Sequence, residues 1–211
     1  MNKLTRIVRF TLCASAISLS TSAQATDLVF TADTSSIKGE TGTFYLDFIS
    51  GGNSTSNFAT ISSFSTDGTL GVITPLGEVS GSLPSTVDFG TDTTLFNEYA
   101  QNITFGNQIS FHLNLTENAP DPLGTPDSFS AFVAYSGSNF TQTTDPTGSN
   151  ALFLFNIDGT ASGNLNVYTL SNGNSPWQVS NISAVPELSE AWLLMFGLMG
   201  LGLKAKRQQR V

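Results

Sequence analysis

The chain has 211 residues, 39% hydrophobic and only 11% charged, with one Cys, one His and 16 Phe. That length fits one globular domain with attached segments rather than two large domains, and the composition excludes both a charge-driven disordered chain and a multi-span membrane protein. The formal charge of −8 is unevenly placed: residues 1–25 hold three bases and no acid, residues 26–184 hold fourteen acids and the single base Lys38, and residues 185–211 hold four bases and two acids. Fourteen acids against one base leave the middle at −13, which repels nucleic acid, because binding there requires Lys and Arg to displace phosphate counterions. The rest is rich in Ser, Thr, Asn and Gly, which supply turn geometry or compete with the helix for backbone hydrogen bonds.

The start carries Lys3, Arg6 and Arg9, then an uncharged apolar stretch from Phe10 to about Leu19, then Ala23-Gln24-Ala25. This is the three-part plan of a secretory signal peptide with an Ala-x-Ala cleavage site at Ala23 and Ala25, so residues 1–25 are expected to be removed after Ala25. An amphipathic surface helix fits less well, since no charge interrupts the run after Arg9. Cys13 lacks the small residues of a lipobox before it and leaves with the signal. The mature chain then has no cysteine, which excludes disulfides, thiol nucleophiles and Cys-ligated metal.

Through residues 26–182 apolar residues recur at period two, the spacing of strands with one face on a core. Phe44, Leu46 and Phe48 show it first. Leu95 to Ile103 is the one place where one or two helical turns are expected. Ile109, Phe111, Leu113 and Leu115 then alternate with Ser110, His112 and Asn114 in the cleanest strand pattern, and Phe129, Ala131, Val133 and Tyr135 repeat it. The break Ala119-Pro120-Asp121-Pro122-Leu123-Gly124-Thr125-Pro126 reads as a long loop. Ala151 to Ile157 is apolar on both faces, which predicts a central position between layers; Leu165-Asn166-Val167-Tyr168 follows. Gly51-Gly52, Asp67-Gly68, Asp158-Gly159 and Asn172-Gly173 mark turns, and Asn174 to Val185 reads as a linker. Eight to ten short strands with a Phe-rich interior predict an all-β fold, a two-layer β-sandwich, jelly-roll-like.

Candidate chemistry in this region is sparse. His112 faces away from Phe111 and Leu113, no Gly-x-Ser-x-Gly elbow surrounds any serine, and a zinc site needs three or four ligands, so neither a catalytic triad nor a histidine metal site is expected. Phe64-Ser65-Thr66-Asp67-Gly68-Thr69 and Phe155-Asn156-Ile157-Asp158-Gly159-Thr160 share a Phe-x-x-Asp-Gly-Thr spacing. Asp67 and Asp158 are thus weak calcium candidates, but neither stretch has the alternating ligands and closing Glu of an EF-hand, and both read more simply as hairpin turns after a core Phe. No cofactor is expected. Two carboxylates could hydrolyse a glycoside if they faced each other at about 5–9 Å, although scattered acids on an exported domain more often solubilise it. Carbohydrate binding without catalysis is the stronger alternative, yet residues 26–184 offer few aromatic platforms: Trp177 and Tyr45, Tyr99, Tyr135 and Tyr168, with most Phe expected in the core. Asn-x-Ser/Thr triplets begin at Asn53, Asn102, Asn114, Asn139 and Asn181, as expected in so Asn- and Thr-rich a chain.

In residues 183–211, Val185-Pro186-Glu187-Leu188-Ser189-Glu190 leads into Ala191-Trp192-Leu193-Leu194-Met195-Phe196-Gly197-Leu198-Met199-Gly200-Leu201-Gly202-Leu203, and Lys204, Lys206, Arg207 and Arg210 close the chain. Thirteen apolar residues reach about 20 Å as a helix, against about 30 Å of bilayer core. Such a short hydrophobic helix with a basic block after it behaves as a stop-transfer tail with its charges on the cytoplasmic side. The tail resembles the PEP-CTERM sorting signal of exported bacterial proteins, with Pro186 and Glu187 on the motif's first two positions and Leu188 where that family usually has a second Pro. The resemblance covers about 27 of the 211 residues. It implies export through the Sec translocon, cleavage by signal peptidase, transient anchoring in the inner membrane of a Gram-negative bacterium, and processing near Pro186-Glu187 by an exosortase. The central domain resembles the β-rich ectodomains that precede such tails. It is expected to be a non-enzymatic structural or adhesive component of the cell surface or extracellular polysaccharide matrix. A carbohydrate-binding module and a carboxylate-dependent glycoside hydrolase stand as alternatives.

Overall fold

The computed structural model describes residues 25–52, 55–118, 124–135, 139–159, 164–170 and 177–181. Thirteen strands follow one another: β1 (Ala25–Asp33), β2 (Thr41–Ile49), β3 (Phe58–Thr66), β4 (Thr69–Leu76), β5 (Val79–Gly81), β6 (Val87–Gly90), β7 (Phe96–Thr104), β8 (Gln108–Thr116), β9 (Asp127–Tyr135), β10 (Asn139–Phe140), β11 (Phe153–Ile157), β12 (Asn164–Val167) and β13 (Trp177–Asn181). A single 3-10 turn, Ser35–Ile37, joins β1 to β2. The strands form two antiparallel sheets, β13-β1-β8-β3-β6-β5 and β12-β11-β9-β2-β7-β4, with β10 paired to β9. The sheets pack face to face, so the all-β sandwich expected from the alternation is present with more strands than the eight to ten expected.

Each long strand buries alternate residues because successive side chains point to opposite faces of a sheet. In β8 the inward residues are Ile109, Phe111, Leu113 and Leu115, and in β1 they are Leu28, Phe30 and Ala32. Ten phenylalanines are buried: Phe30, Phe44, Phe48, Phe64, Phe89, Phe105, Phe111, Phe129, Phe153 and Phe155. Their rings meet across the gap between sheets. Phe30 of β1 stacks on Phe153 of β11 with centroids 4.1 Å apart, and Phe89 of β6 meets Phe129 of β9 edge-on at 5.4 Å; within its own sheet Phe30 also stacks on Phe111 of β8 at 5.1 Å. Such pairs add about 0.5–1.5 kcal/mol beyond the burial of their area.

The pattern is preserved at irregular points by an added residue. Between Ser62 and Ser65 the register of β3 against β8 slips by one, with Ser63 at φ +52°. This bulge returns Phe64 to the interior after Ile61, where strict alternation would have turned it to solvent.

Four sequence expectations are corrected. Leu95 to Ile103 forms no helical turn; from Phe96 onward it lies in β7, whose inward positions Asn97, Tyr99, Gln101 and Ile103 include two amides. The expected linker from Asn174 contains β13, which hydrogen-bonds along β1 from Leu28↔Asn181 to Ala32↔Trp177. Ala151 to Ile157 is not central: β11 is one strand from the edge and buries alternate residues, Phe153, Phe155 and Ile157, while Ala151 and Leu152 are buried just before it. Asp67-Gly68 is not a hairpin turn, because β3 and β4 belong to different sheets; it is a corner that carries the chain from one layer to the other. Asp158-Gly159, by contrast, opens the β11–β12 hairpin, with Gly159 at φ +78°.

Phe153→Ala should cost about 3–5 kcal/mol, the range for losing a buried aromatic ring together with the cavity left behind. Phe58→Ala, at a ring 48% exposed, should cost well under 1 kcal/mol. Equilibrium denaturation of the two variants measures the contrast, and equal losses would contradict the core assignment.

Candidate functional site

The two outward faces of the sandwich differ in chemistry. On the β1-β8-β3-β6 sheet one row across the strands reads Asp27, Asn114, Thr60, Asp88, and the next reads Val29, His112, Ser62. The Thr60 hydroxyl donates to Asp88 Oδ1 at 2.8 Å. The face is mostly polar, with the exposed Phe58 also on it, and His112 lies between Val29 and Ser62, the outward placement that its alternation implied.

The outward face of the other sheet is apolar and aromatic. Tyr45 of β2 lies between Ala100 of β7 and Phe132 of β9, and Ile49 lies between Phe96 and Ser128. Phe140 of β10 closes the group: its ring centroid is 5.4 Å from Tyr45 and 5.6 Å from Phe132. Phe140 is 43% exposed, and Ile49, Phe96 and Leu76 are also exposed. Beside the rings the Thr43 hydroxyl donates to Asn102 Oδ1 at 3.1 Å. A cluster of aromatic rings reaching solvent on a sheet face is a candidate contact surface. Rings edged by hydroxyl and amide groups suit a ligand that has both C–H faces and hydroxyls.

Two carboxyls sit in the same face. Asp47 and Glu98 are directly paired across β2 and β7, with Ser130 on the other side of Asp47. Asp47 is only 9% exposed, and its Oδ1 is buried without a hydrogen-bond partner. Burial, and secondarily the charge of Glu98, pushes the Asp47 carboxyl up to about 7; burial raises Glu98 as well. The two acids project side by side from one sheet face, rather than across a cleft in the opposed arrangement that glycoside hydrolysis uses.

The weak calcium candidates have separate surroundings. Asp67 Oδ1 accepts the backbone N–H groups of Asn107 at 2.6 Å and Gln108 at 3.1 Å, and Oδ2 accepts the Asn107 side-chain amide. The Gln108 N–H is the main cause holding this carboxyl below its usual range. Asp67 therefore staples the corner to the β7–β8 loop. A Cβ on Gly106 would lie 2.1 Å from Asp67 Oδ1, so the loop requires glycine there. Asp158 starts a different turn, and among the described residues no three His, Cys, Asp or Glu side chains converge to hold a metal ion.

Sequence reasoning missed a buried polar knot at the end of the sandwich where β9 begins. Asp127 Oδ1 accepts the Gly51 N–H at 2.7 Å, and Oδ2 accepts Asn57 Nδ2 at 3.0 Å and lies 3.1 Å from the Thr91 hydroxyl. Asn57 Oδ1 in turn accepts the Asn118 N–H at 2.8 Å and the Thr116 hydroxyl at 3.0 Å. Asn57, Thr91 and Asp127 lie far apart in sequence with no shared motif, and only the fold brings them together. Of the aromatic candidates, Tyr99 is lost to the core: its hydroxyl accepts the Leu83 N–H at 3.0 Å and donates to Gln101 Oε1 at 2.9 Å. Tyr45 lies on the aromatic face.

Ala25 is the first residue of β1, paired with Thr116. Ala23, Val185, Pro186, Glu187, the apolar run 191–203 and the basic residues Lys204, Lys206, Arg207 and Arg210 lie outside the described residues. Among the described residues no helix is long and apolar enough to cross a membrane. No family model, curated protein or solved structure matches the chain at a significant level.

A carboxyl raised from 3.8 when unfolded to about 7 when folded binds its proton more tightly in the native state. It therefore destabilises the fold progressively as pH rises through that window. Asp47→Asn should melt several degrees above the wild type at pH 8 and close to it at pH 4. Thermal unfolding at the two pH values decides this; a constant difference would mean that Asp47 keeps its ordinary acidity.

Proposed function

We propose that this chain is an exported, non-catalytic adhesive component of a bacterial cell surface or polysaccharide matrix, and that it contacts polysaccharide through the Tyr45–Phe132–Phe140 face. The observation that carries the reading is the asymmetry of the sandwich: one outward face is mostly polar, with Val29 and Phe58 set among polar residues, and the other presents the packed rings of Tyr45, Phe132 and Phe140. Stacking of sugar C–H faces on these rings, with Thr43 and Asn102 beside them, needs no cationic surface. It is compatible with a domain carrying one base against fourteen acids. The carbohydrate-binding-module alternative uses the same face and differs only in requiring selectivity for one glycan.

The same proposal assigns residues 1–25 as a signal peptide and 183–211 as a PEP-CTERM-like tail, held transiently in the inner membrane and processed by an exosortase. The placement of the domain's ends supports it. Leu28 pairs with Asn181, so the start of β1 and the end of β13 lie at one end of the sandwich. We also read the core topology as a jelly roll. The pairs β1/β8, β2/β7 and β3/β6 are nested, as they are when a single long hairpin is rolled up, and β9 to β13 extend its two open edges.

Two measurements test this. Protein purified from the producing cells should be retained on the host's polysaccharide, and Tyr45→Ala should reduce retention at least several-fold while leaving Tm unchanged; undiminished retention would remove the aromatic face from the reading. Intact mass by cell fraction should show a released form lacking residues 1–25 and those beyond about Pro186. Glu187→Ala should accumulate in the membrane fraction at higher mass. Normal release of that variant would defeat the exosortase assignment.

A further inference from the structure

At the end of the sandwich opposite the polar knot, the sheets part around a cavity of about 220 Å³. The C-terminal end of β1, the 3-10 turn, the end of β9 and the segments around Thr141 and Leu170 enclose it. Its apolar lining includes Ile37, Val133 and Leu170, and its polar residues are Asp33, Thr34, Ser36, Tyr135 and Thr141. The Thr141 backbone N–H donates to Val133 O at 2.8 Å, whereas its hydroxyl is buried without a hydrogen-bond partner. An unsatisfied buried hydroxyl is unfavourable and calls for an explanation; Thr141 lines the cavity, and a polar occupant that reached its hydroxyl would supply one. Asp33 stands on the exposed side, where the Ser35 N–H donates to its Oδ1 at 2.9 Å. Hydrogen bonds from Ser35 hold that carboxyl below its usual range, so at neutral pH it is an ionised acceptor.

We propose that this cavity is a binding site for a single neutral or amino sugar residue, entering end-on. An apolar wall suits the C–H face of a pyranose, Asp33 accepts its hydroxyl or ammonium hydrogens, and the Thr141 hydroxyl gains the partner it lacks. The space is large enough for one sugar ring: it corresponds to about seven waters at roughly 30 Å³ each. The carboxylate at the opening and the acidic domain around it oppose a uronic acid or a phosphorylated sugar. The site is distinct from the aromatic face: Tyr45 belongs to the outward surface of a sheet, whereas the cavity lies between the sheets.

The test is titration of the purified protein with glucose, galactose, mannose, N-acetylglucosamine, glucosamine and glucuronate, followed by calorimetry or by the NMR signals of the Thr141 region. At least one neutral or amino sugar should bind saturably with a Kd on the order of 1 mM, and glucuronate should not. Thr141→Val and Asp33→Asn should each weaken binding at least five-fold without lowering Tm, and Ser36→Trp, at the exposed rim, should abolish it. Tyr45→Ala should leave it unchanged, which separates this site from adhesion by the aromatic face. Binding of the free sugar together with short oligosaccharides ending in it would identify a chain-end site, and binding of the free sugar alone a site for the monosaccharide. No saturable binding by any of the six sugars, or binding insensitive to both Thr141→Val and Asp33→Asn, would overturn the proposal.

Discussion

The stack of Phe30 on Phe153, at 4.1 Å between centroids, joins the two sheets, and the rest of the sandwich depends on rings meeting in that gap. Phe111, Phe129, Phe89 and Phe44 extend the contact so that each layer supplies rings to the other. A chain whose interior is built from phenylalanine needs neither disulfides nor helices to fill about 10 Å between sheets. It needs every inward position kept in phase. This is why an extra residue in β3 is tolerated at Ser63: the bulge restores the phase of Phe64 instead of disrupting it.

The same requirement decides what can be read from sequence. β8 was legible because Ile109, Phe111, Leu113 and Leu115 satisfy the inward face with apolar side chains alone. β7 was not, because Asn97 and Gln101 occupy inward positions and break the apolar repeat. Both amides are satisfied there: Asn97 Nδ2 donates to the carbonyls of Phe48 and Thr94 while its Oδ1 accepts the Glu78 N–H, and Gln101 bonds Gly71, Asn102 and the Tyr99 hydroxyl. A buried amide with all its partners costs little, but those partners come from other strands and are invisible to a local pattern. β13 was hidden for another reason. It is an edge strand, and its pairing is specified by the open side of β1 more than by its own five residues.

The candidate site was legible to a similar extent. Tyr45 could be singled out as an aromatic, but its neighbours Phe132 and Phe140 could not be separated from the core phenylalanines by composition. Their outward direction follows from the register of β9 against β2 and from the short pairing of β10. Asp67-Gly68 shows the converse error. A dipeptide that favours a tight turn says nothing of which sheet the next strand joins. Here the Asp67 side chain is bonded to Asn107 and Gln108, so the turn residue acts as a staple between loops.

The two ends of the sandwich divide the work of holding and presenting. At one end Asp127 and Asn57 tie the β2–β3, β6–β7 and β8–β9 connections together with hydrogen bonds, and the first and last described strands have their outer ends there. Force applied to the chain at that end would fall on β1 and β13, which are hydrogen-bonded to each other, and β1 is further bonded along its whole length to β8. At the other end the sheets separate around a cavity with an unpartnered hydroxyl, a feature that a domain selected only for rigidity would have no reason to keep. A domain anchored through its knotted end would hold the cavity some eight strand residues away, about 25 Å at roughly 3.3 Å per residue. That distance is set by the length of β1, the strand that begins beside the polar knot and ends at the cavity wall.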